Sequence, residues 1–199
     1  MTKFVLATAN KGKIREMREI LQTLGIDAVS QYEVGLNLEV EETGTTFMEN
    51  AMLKAAAVCK ASGLPAIADD SGLIVDALGG EPGVYSSSYG GETLNDAQRC
   101  EHLLNNMKNM ELRAAKFVCT IVCLFPDDDV LTAEGECRGE ILYESRGTGG
   151  FGYDPVFLVN GTGKSMAELT DDEKNAISHR GAALREFSQN LRRRLRDEL

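Results

Sequence analysis

The run Phe117-Val118-Cys119-Thr120-Ile121-Val122-Cys123-Leu124-Phe125 carries no charge and is rich in β-branched side chains. Such a segment suits a buried strand, whose pleated surface takes branched side chains well. Pro126-Asp127-Asp128-Asp129 follows as a turn, and a second strand-like run extends from Val130 to Cys137. The pair reads as a β-hairpin, which is antiparallel by construction. Elsewhere the apolar spacing is helical, at Ile14, Met17, Leu21 and Leu24, over Thr93 to Met107, and at Leu184, Phe187, Leu191 and Leu195 on one side of a last helix. A chain holding both patterns is neither all-helical nor a purely parallel sheet. The expectation is an α/β fold with a mixed sheet, and 199 residues suit one domain.

Local signals refine this outline. Lys3 to Ala7 reads as a buried strand that passes through Thr8-Ala9-Asn10-Lys11-Gly12-Lys13 into the first helix. Thr46-Phe47-Met48-Glu49 and Thr170-Asp171-Asp172-Glu173 have the Thr-x-x-Glu spacing of a capping box, so each opens a helix. Pro65 to Ala68 reads as a short interior strand ending at Asp69-Asp70-Ser71-Gly72, and Gly147 to Asp154 as a loop. The basic run Arg192 to Arg196 reads as a solvated helix end, favourable to the helix dipole.

A net charge of −10 argues against a nucleic-acid groove as the main surface. It also means that an anionic ligand binds only where lysines, arginines, helix N-termini or a divalent cation reverse the field. The five cysteines contain no C-x-x-C pair, so neither a disulfide framework nor a zinc site is indicated. Cys119 and Cys123 on one strand share a face and read as small core residues. Near the N-terminus, Phe4 to Ala7 is too short an apolar run for a signal peptide or a membrane span, and a cytosolic protein is expected.

Five segments have the composition of a binding site. Thr8 to Lys13 offers a helix N-terminus, two lysines and a glycine that admits close approach of a phosphate. It is not a P-loop, and alone it reads equally as a capped turn. Asp69 and Asp70 lie where α/β proteins place ligands; strand alternation lets one face a site while the other anchors the loop. Their alternative is a turn-capping pair. Glu39 and Glu41 share a face if extended, and one of them with the Asp pair would suit Mg²⁺, though a solvent-facing acidic segment explains the spacing too. Phe151, flanked by glycines, either presents a ring face to a base or plugs the core. His179 and Arg180 supply donors for a keto oxygen, or merely cap a helix.

Taken together, LATANKGKIREM, EETGTTFMENAMLKA, LPAIADDSGLIVDALGGEPGVYS, GTGGFGYDPVF and AELTDDEKNAISHRGAAL resemble the inosine triphosphate pyrophosphatase family, in that family's order and over most of the chain. The resemblance implies an elongated two-lobed α/β fold with the nucleotide between the lobes, a homodimer, and cleavage of ITP, dITP or XTP to the monophosphate and pyrophosphate. By position, it makes Thr8, Ala9, Asn10, Lys11, Gly12 and Lys13 the phosphate loop and Lys54 a further triphosphate contact. Asp70 becomes the proton acceptor and a Mg²⁺ ligand, Glu41 the second metal ligand, and Ser71 a substrate contact. Phe151, Gly152, Tyr153 and Asp154 line the base and sugar, with Lys174, His179 and Arg180 completing base recognition. One departure stands out. Where the family usually has Arg or Lys, this chain has Ser88, so triphosphate binding is expected to weaken unless Lys108, Lys116 or a partner subunit substitutes. The competing readings are a sister pyrophosphatase for pyrimidine nucleotides, a nucleotide-binding regulator without catalysis, and a purely structural acidic protein.

Overall fold

The computed structural model describes residues 3–197. In chain order the main elements are β1 (Phe4–Leu6), α1 (Lys11–Thr23), β2 (Ala28–Ser30), α2 (Phe47–Ser62), β3 (Ala66–Val75), α3 (Asp96–Asn106), β4 (Ala114–Leu124), β5 (Val130–Ile141), β6 (Phe157–Val159), α4 (Asp171–Ile177) and α5 (His179–Asp197). The sheet order is β2-β1-β3-β4-β5-β6. β1 runs parallel to β2 and β3, whereas β5 and β6 are antiparallel, so the sheet is mixed as the hairpin required. No helix among the described residues is long and apolar enough to cross a membrane.

The chain forms two compact units. One comprises the segment up to Asp70, Cys119–Gly135 and the segment from His179; the other comprises Ser71–Val118 and Glu136–Ser178. In the first unit the strands sort their side chains by the two-residue period. Phe4, Leu6, Ile67, Cys119, Ile121 and Cys123 join Met17, Leu21, Leu184 and Phe187 of α1 and α5 in one cluster. Val5, Ala7, Ala66, Ala68 and Val122 join Ala51, Ala55, Val58 and Cys59 of α2 in another. The second unit has its own core, including Leu73, Val75, Leu103, Met107, Phe117, Ile141 and Phe157. All five cysteines are buried and free, and Cys119 and Cys123 share a face as expected.

Both capping boxes form, at Thr46 with Glu49 and at Thr170 with Glu173. Asn10 caps α1, accepting a hydrogen bond from the Lys13 amide at 3.1 Å. Three expectations need adjustment. β3 does not end at Asp69 but continues to Val75, because both carboxylates have cationic partners and Leu73 and Val75 bury their side chains beyond them. Leu195 is 49% exposed, so the apolar side of α5 stops at Leu191. Within the basic helix end, Arg194 lies 4.0 Å over the Phe125 ring and pairs with Asp127 and Asp129, which ties α5 to the hairpin turn.

Candidate active site

Asp69 and Asp70 are the pivot of the first unit. Asp69 continues the Ile67 face of β3, toward α1 and α5; Asp70 continues the Ala68 face, toward α2. Asp69 is fully buried and accepts hydrogen bonds from Arg180 Nε at 3.3 Å and Nη2 at 2.9 Å. Lys13 Nζ lies 3.1 Å from the same Oδ2. Burial would raise the Asp69 pKa, but Lys13, Arg180 and Lys54 hold it far below the usual carboxylate range.

Asp70 is in a different electrostatic state. It is 5% exposed, accepts from Lys54 Nζ at 3.0 Å and from Asn50 Nδ2 at 3.3 Å. Burial pushes its pKa up to about 6 against the pull of the Lys54 and Lys13 ammonium groups, and Glu42 adds to the rise. Lys54 is itself buried; desolvation would lower its pKa, yet Asp70, Asp69 and Glu42 together hold it above the ordinary lysine range. A carboxylate near neutrality, beside a lysine that stays charged, has the properties of a general base for chemistry on an anion.

The Thr8–Lys13 segment links β1 to α1. Ala9, Asn10 and Lys11 are exposed, Thr8 Oγ1 accepts from the Asn10 amide at 3.2 Å, and Gly12 falls in the first helical turn. The loop therefore presents helix-start backbone to solvent while Lys13 turns inward. Glu41 is exposed on an irregular segment; the glutamate that the structure links to Asp70 is its neighbour Glu42, 3.1 Å from the shared Lys54 Nζ. Glu39 is exposed as well. No three His, Cys, Asp or Glu side chains among the described residues converge as a ready-made metal cage. Mg²⁺ does not demand one, since it commonly takes one or two carboxylates and completes its shell with water and substrate phosphate. The hard oxygens of Asp70 and Glu42, already gathered about the Lys54 ammonium, fit that requirement, with the exposed Glu41 next in sequence to Glu42.

The second unit holds the glycine-dense loop. Asp154, 3% exposed, accepts from the Phe151 amide at 2.9 Å and from Lys174 Nζ at 2.5 Å. Lys174 Nζ also lies 4.8 Å from the Phe151 ring centroid, so one ammonium fixes both carboxylate and ring. Gly150 is in the left-handed region at φ 69°, and a Cβ there would overlap Asp154 Oδ2, so glycine is required twice over. Gly152 donates to Asp96 Oδ2 at 2.7 Å, and its carbonyl accepts from Cys100 Sγ at 3.3 Å. Tyr153 is buried and spends its hydroxyl on the Ser86 carbonyl at 2.8 Å. Phe151 is half-buried, which leaves ring surface open.

Ser71 is half-buried in β3, immediately after Asp70. His179 is buried at the first position of α5, where Gly135 packs so closely that an added Cβ would overlap the His179 carbonyl. Arg180 is 2% exposed, with Nη1 donating to Glu16 Oε2 at 2.6 Å as well as its bonds to Asp69. Ser88 is half-buried and its hydroxyl faces the Tyr85 carbonyl at 3.4 Å; Lys116 is paired with Glu136, and Lys108 is exposed. Residue-by-residue reading missed Glu16, Glu42, Asn50, Asp96 and Cys100. Glu16, Glu42 and Asn50 fall within the matching segments, whereas Asp96 and Cys100 lie outside them, and each meets its partner only through the fold.

A family model described as the Ham1 family matches residues 4–190. The dITP/XTP pyrophosphatase of Shigella flexneri is 50% identical over 196 residues, covering 96% of this chain and 99% of that protein. The dITP/XTP pyrophosphatase of Bacillus subtilis (strain 168) is 49% identical over 193 residues, covering 96% and 98%. Among solved structures, a HAM1 protein from Coxiella burnetii superposes with a TM-score of 0.87 at 44% identity, covering 97% of this chain and 100% of that one. The Ham1 protein of Staphylococcus aureus gives a TM-score of 0.85 at 42% identity, covering 96% and 98%.

Proposed function

The chain belongs to the Ham1 family, and from that premise we propose that it hydrolyses the non-canonical purine nucleotides dITP, ITP and XTP to the monophosphate and pyrophosphate. The observation that carries the reading is the split of the Asp69–Asp70 pair. One carboxylate is held ionised within a cationic network, and its neighbour is poised at about 6 beside Lys54.

In this proposal, Asp70 accepts the proton of the water that attacks the α-phosphorus, and pyrophosphate departs. Lys13 and Lys54 face the negative charge that grows on the leaving group, where fixed cations in a dry site act most strongly. The loop from Thr8 to Gly12, exposed at Ala9 to Lys11, receives phosphate oxygens at the start of α1. Mg²⁺ would be held by Asp70 with Glu41, and Glu42 stands beside them through Lys54. Bound there, it would supply positive charge against the polyphosphate and lower the pKa of a bound water.

The base falls to Phe151, whose ring orientation is fixed by Lys174 and Asp154, with Gly152 and Tyr153 shaping the loop. The donors for a 6-keto oxygen are His179 and Arg180, with Lys174 completing base recognition. A purine with a 6-amino group meets such donors badly, and buried groups left unpaired can discriminate by ~10⁴-fold. Ser71 contacts substrate beside Asp70. The proposal includes a homodimer, checked by sedimentation, and residence in the cytoplasm, checked by fractionation.

The test is a pyrophosphate-release panel with ITP, dITP, XTP, GTP, ATP and dTTP, with and without Mg²⁺. Turnover of ITP, dITP and XTP that is lost on chelation and restored by Mg²⁺ supports the reading. A preference for dTTP overturns it in favour of a pyrimidine pyrophosphatase.

A further inference from the structure

Helix α3 opens with a carboxylate that its own first turn does not need. Asn95 caps the helix, accepting from the Gln98 amide at 3.0 Å, while Gln98 Oε1 accepts from the Asn95 amide at 3.0 Å. With that box complete, Asp96 at the first helical position is free to serve another segment. Its Oδ2 accepts from the Gly152 amide at 2.7 Å. Arg99 backs it, buried, with Nη1 3.7 Å from Asp96 Oδ1 and Nη2 donating to the Gly91 carbonyl at 3.4 Å. Cys100, four residues after Asp96 and so on the same side of α3, is buried and donates from Sγ to the Gly152 carbonyl at 3.3 Å. Burial pushes the Cys100 thiol up to about 12, with Asp96 and Asp154 adding to the rise, so it keeps the proton it donates. One side of one helix thus holds both polar backbone groups of a single loop residue.

We propose that Asp96 and Cys100 are positioning residues for base recognition, holding Gly152 by its amide and carbonyl so that the Phe151 ring keeps one orientation. The proposal rests on the assignment of Phe151 to the base. Gly152 sits in the left-handed region at φ 61°, and a glycine loses more conformational freedom on ordering than any other residue. Its neighbours have anchors of their own: the Phe151 amide donates to Asp154, and the Tyr153 hydroxyl to the Ser86 carbonyl. The two peptide groups that flank the Gly152 Cα are the ones that α3 fixes. Without Asp96 the peptide joining Phe151 to Gly152 turns freely, and the ring must be ordered again each time a base binds, which lowers affinity. All these residues belong to the second unit. Neither Asp96 nor Cys100 touches a reacting atom in this scheme.

The test separates base from phosphate. The full-length protein is titrated calorimetrically with inosine monophosphate and, separately, with inorganic tripolyphosphate, in Mg²⁺ buffer. Asp96→Ala is expected to weaken inosine monophosphate about tenfold, the size of one charge-assisted hydrogen bond, and to leave tripolyphosphate within about twofold. In turnover assays KM for ITP should rise by a similar factor while kcat stays within about twofold. Asp96→Asn loses the charge but keeps an acceptor oxygen, so it should recover part of the inosine monophosphate affinity. No recovery means that the carboxylate acts on the helix dipole alone, and overturns the proposal. Cys100→Ala removes a weaker donor and should cost about threefold on the same ligand. Unchanged inosine monophosphate affinity in Asp96→Ala, or an equal loss for tripolyphosphate, also overturns it. Phe151→Ala provides the control. If it leaves inosine monophosphate binding intact, the assignment of Phe151 itself fails; if it weakens binding while Asp96→Ala does not, only the hold from α3 fails. Should Asp96→Ala not fold, the same split between the two ligands in Cys100→Ala carries the test, and its absence overturns the proposal.

Discussion

Asp69 and Asp70 are adjacent in β3 yet draw their cations from opposite faces of the sheet, Asp69 from Lys13 and Arg180 and Asp70 from Lys54. The two-residue period of a strand separates them, and their surroundings then drive the two pKa values apart. One is far below the ordinary range and the other near 6. Two residues of the same type thereby take different tasks.

Replacing the poised carboxylate tests the first task. Asp70→Asn keeps the shape and removes the base, so kcat should fall by about 10²–10⁴-fold with little change in nucleotide affinity. Single-turnover kinetics and a titration with product monophosphate check both halves. Retained turnover removes Asp70 from the role of base.

The pH profile follows from the same group. The folded-state pKa of Asp70 is raised from 3.8 to about 6, so the base form is lost as pH falls through about 6, and kcat/KM should drop along a limb centred there. Lys54→Met removes a charge that draws the value down, so the limb should move to higher pH. The linked stability has the opposite sense. Between about 4 and 6 the folded chain binds more protons at Asp70 than the unfolded one, so this group favours folding more as pH falls through that window.

Asp69 behaves in the reverse way. Its depressed pKa contributes stability that is fully present above the ordinary carboxylate range and is lost on strong acidification. Asp69→Asn leaves the buried Arg180 and the half-buried Lys13 without their shared anion and should cost about 3–5 kcal/mol. Chemical denaturation at neutral pH measures the loss, and the acid branch of the stability curve should flatten in the variant.

Gly150→Ala examines the second unit. The left-handed backbone and the overlap with Asp154 Oδ2 oblige the loop to move, which releases the Phe151 amide from its carboxylate. A destabilisation of about 1–3 kcal/mol is expected, with KM for ITP rising while the pH limb near 6 stays in place. A shifted limb would show that the loop acts on Asp70 instead.

Ser88→Arg places a cation where the family resemblance leads one to expect it. A lower KM for ITP, by about tenfold for one charge-assisted contact, is expected. If KM and kcat both stay as they are, the serine has no bearing on triphosphate binding.

What the chain wrote locally could be read from it. Asn10 caps α1 three residues ahead of Lys13, Thr46 and Glu49 close a box within one turn, and the Phe117–Phe125 run with its acidic turn makes a hairpin. These depend on neighbours a few residues apart, so propensity and spacing suffice to specify them. Resemblance across five ordered segments then supplied the family. The continuation of β3 beyond Asp70 was not legible, because two aspartates read as a strand end until their counter-ions are known. Those partners are remote. Arg180 lies 111 residues from Asp69 and 164 from Glu16, and Asp96 lies 56 from the Gly152 amide it holds. The sequence by itself determined the main helices, the hairpin that makes the sheet mixed, and the candidate groups. Only the tertiary structure decided which carboxylate stays ionised and which is held near neutrality, because that depends on burial and on charges that packing alone brings within a few ångströms.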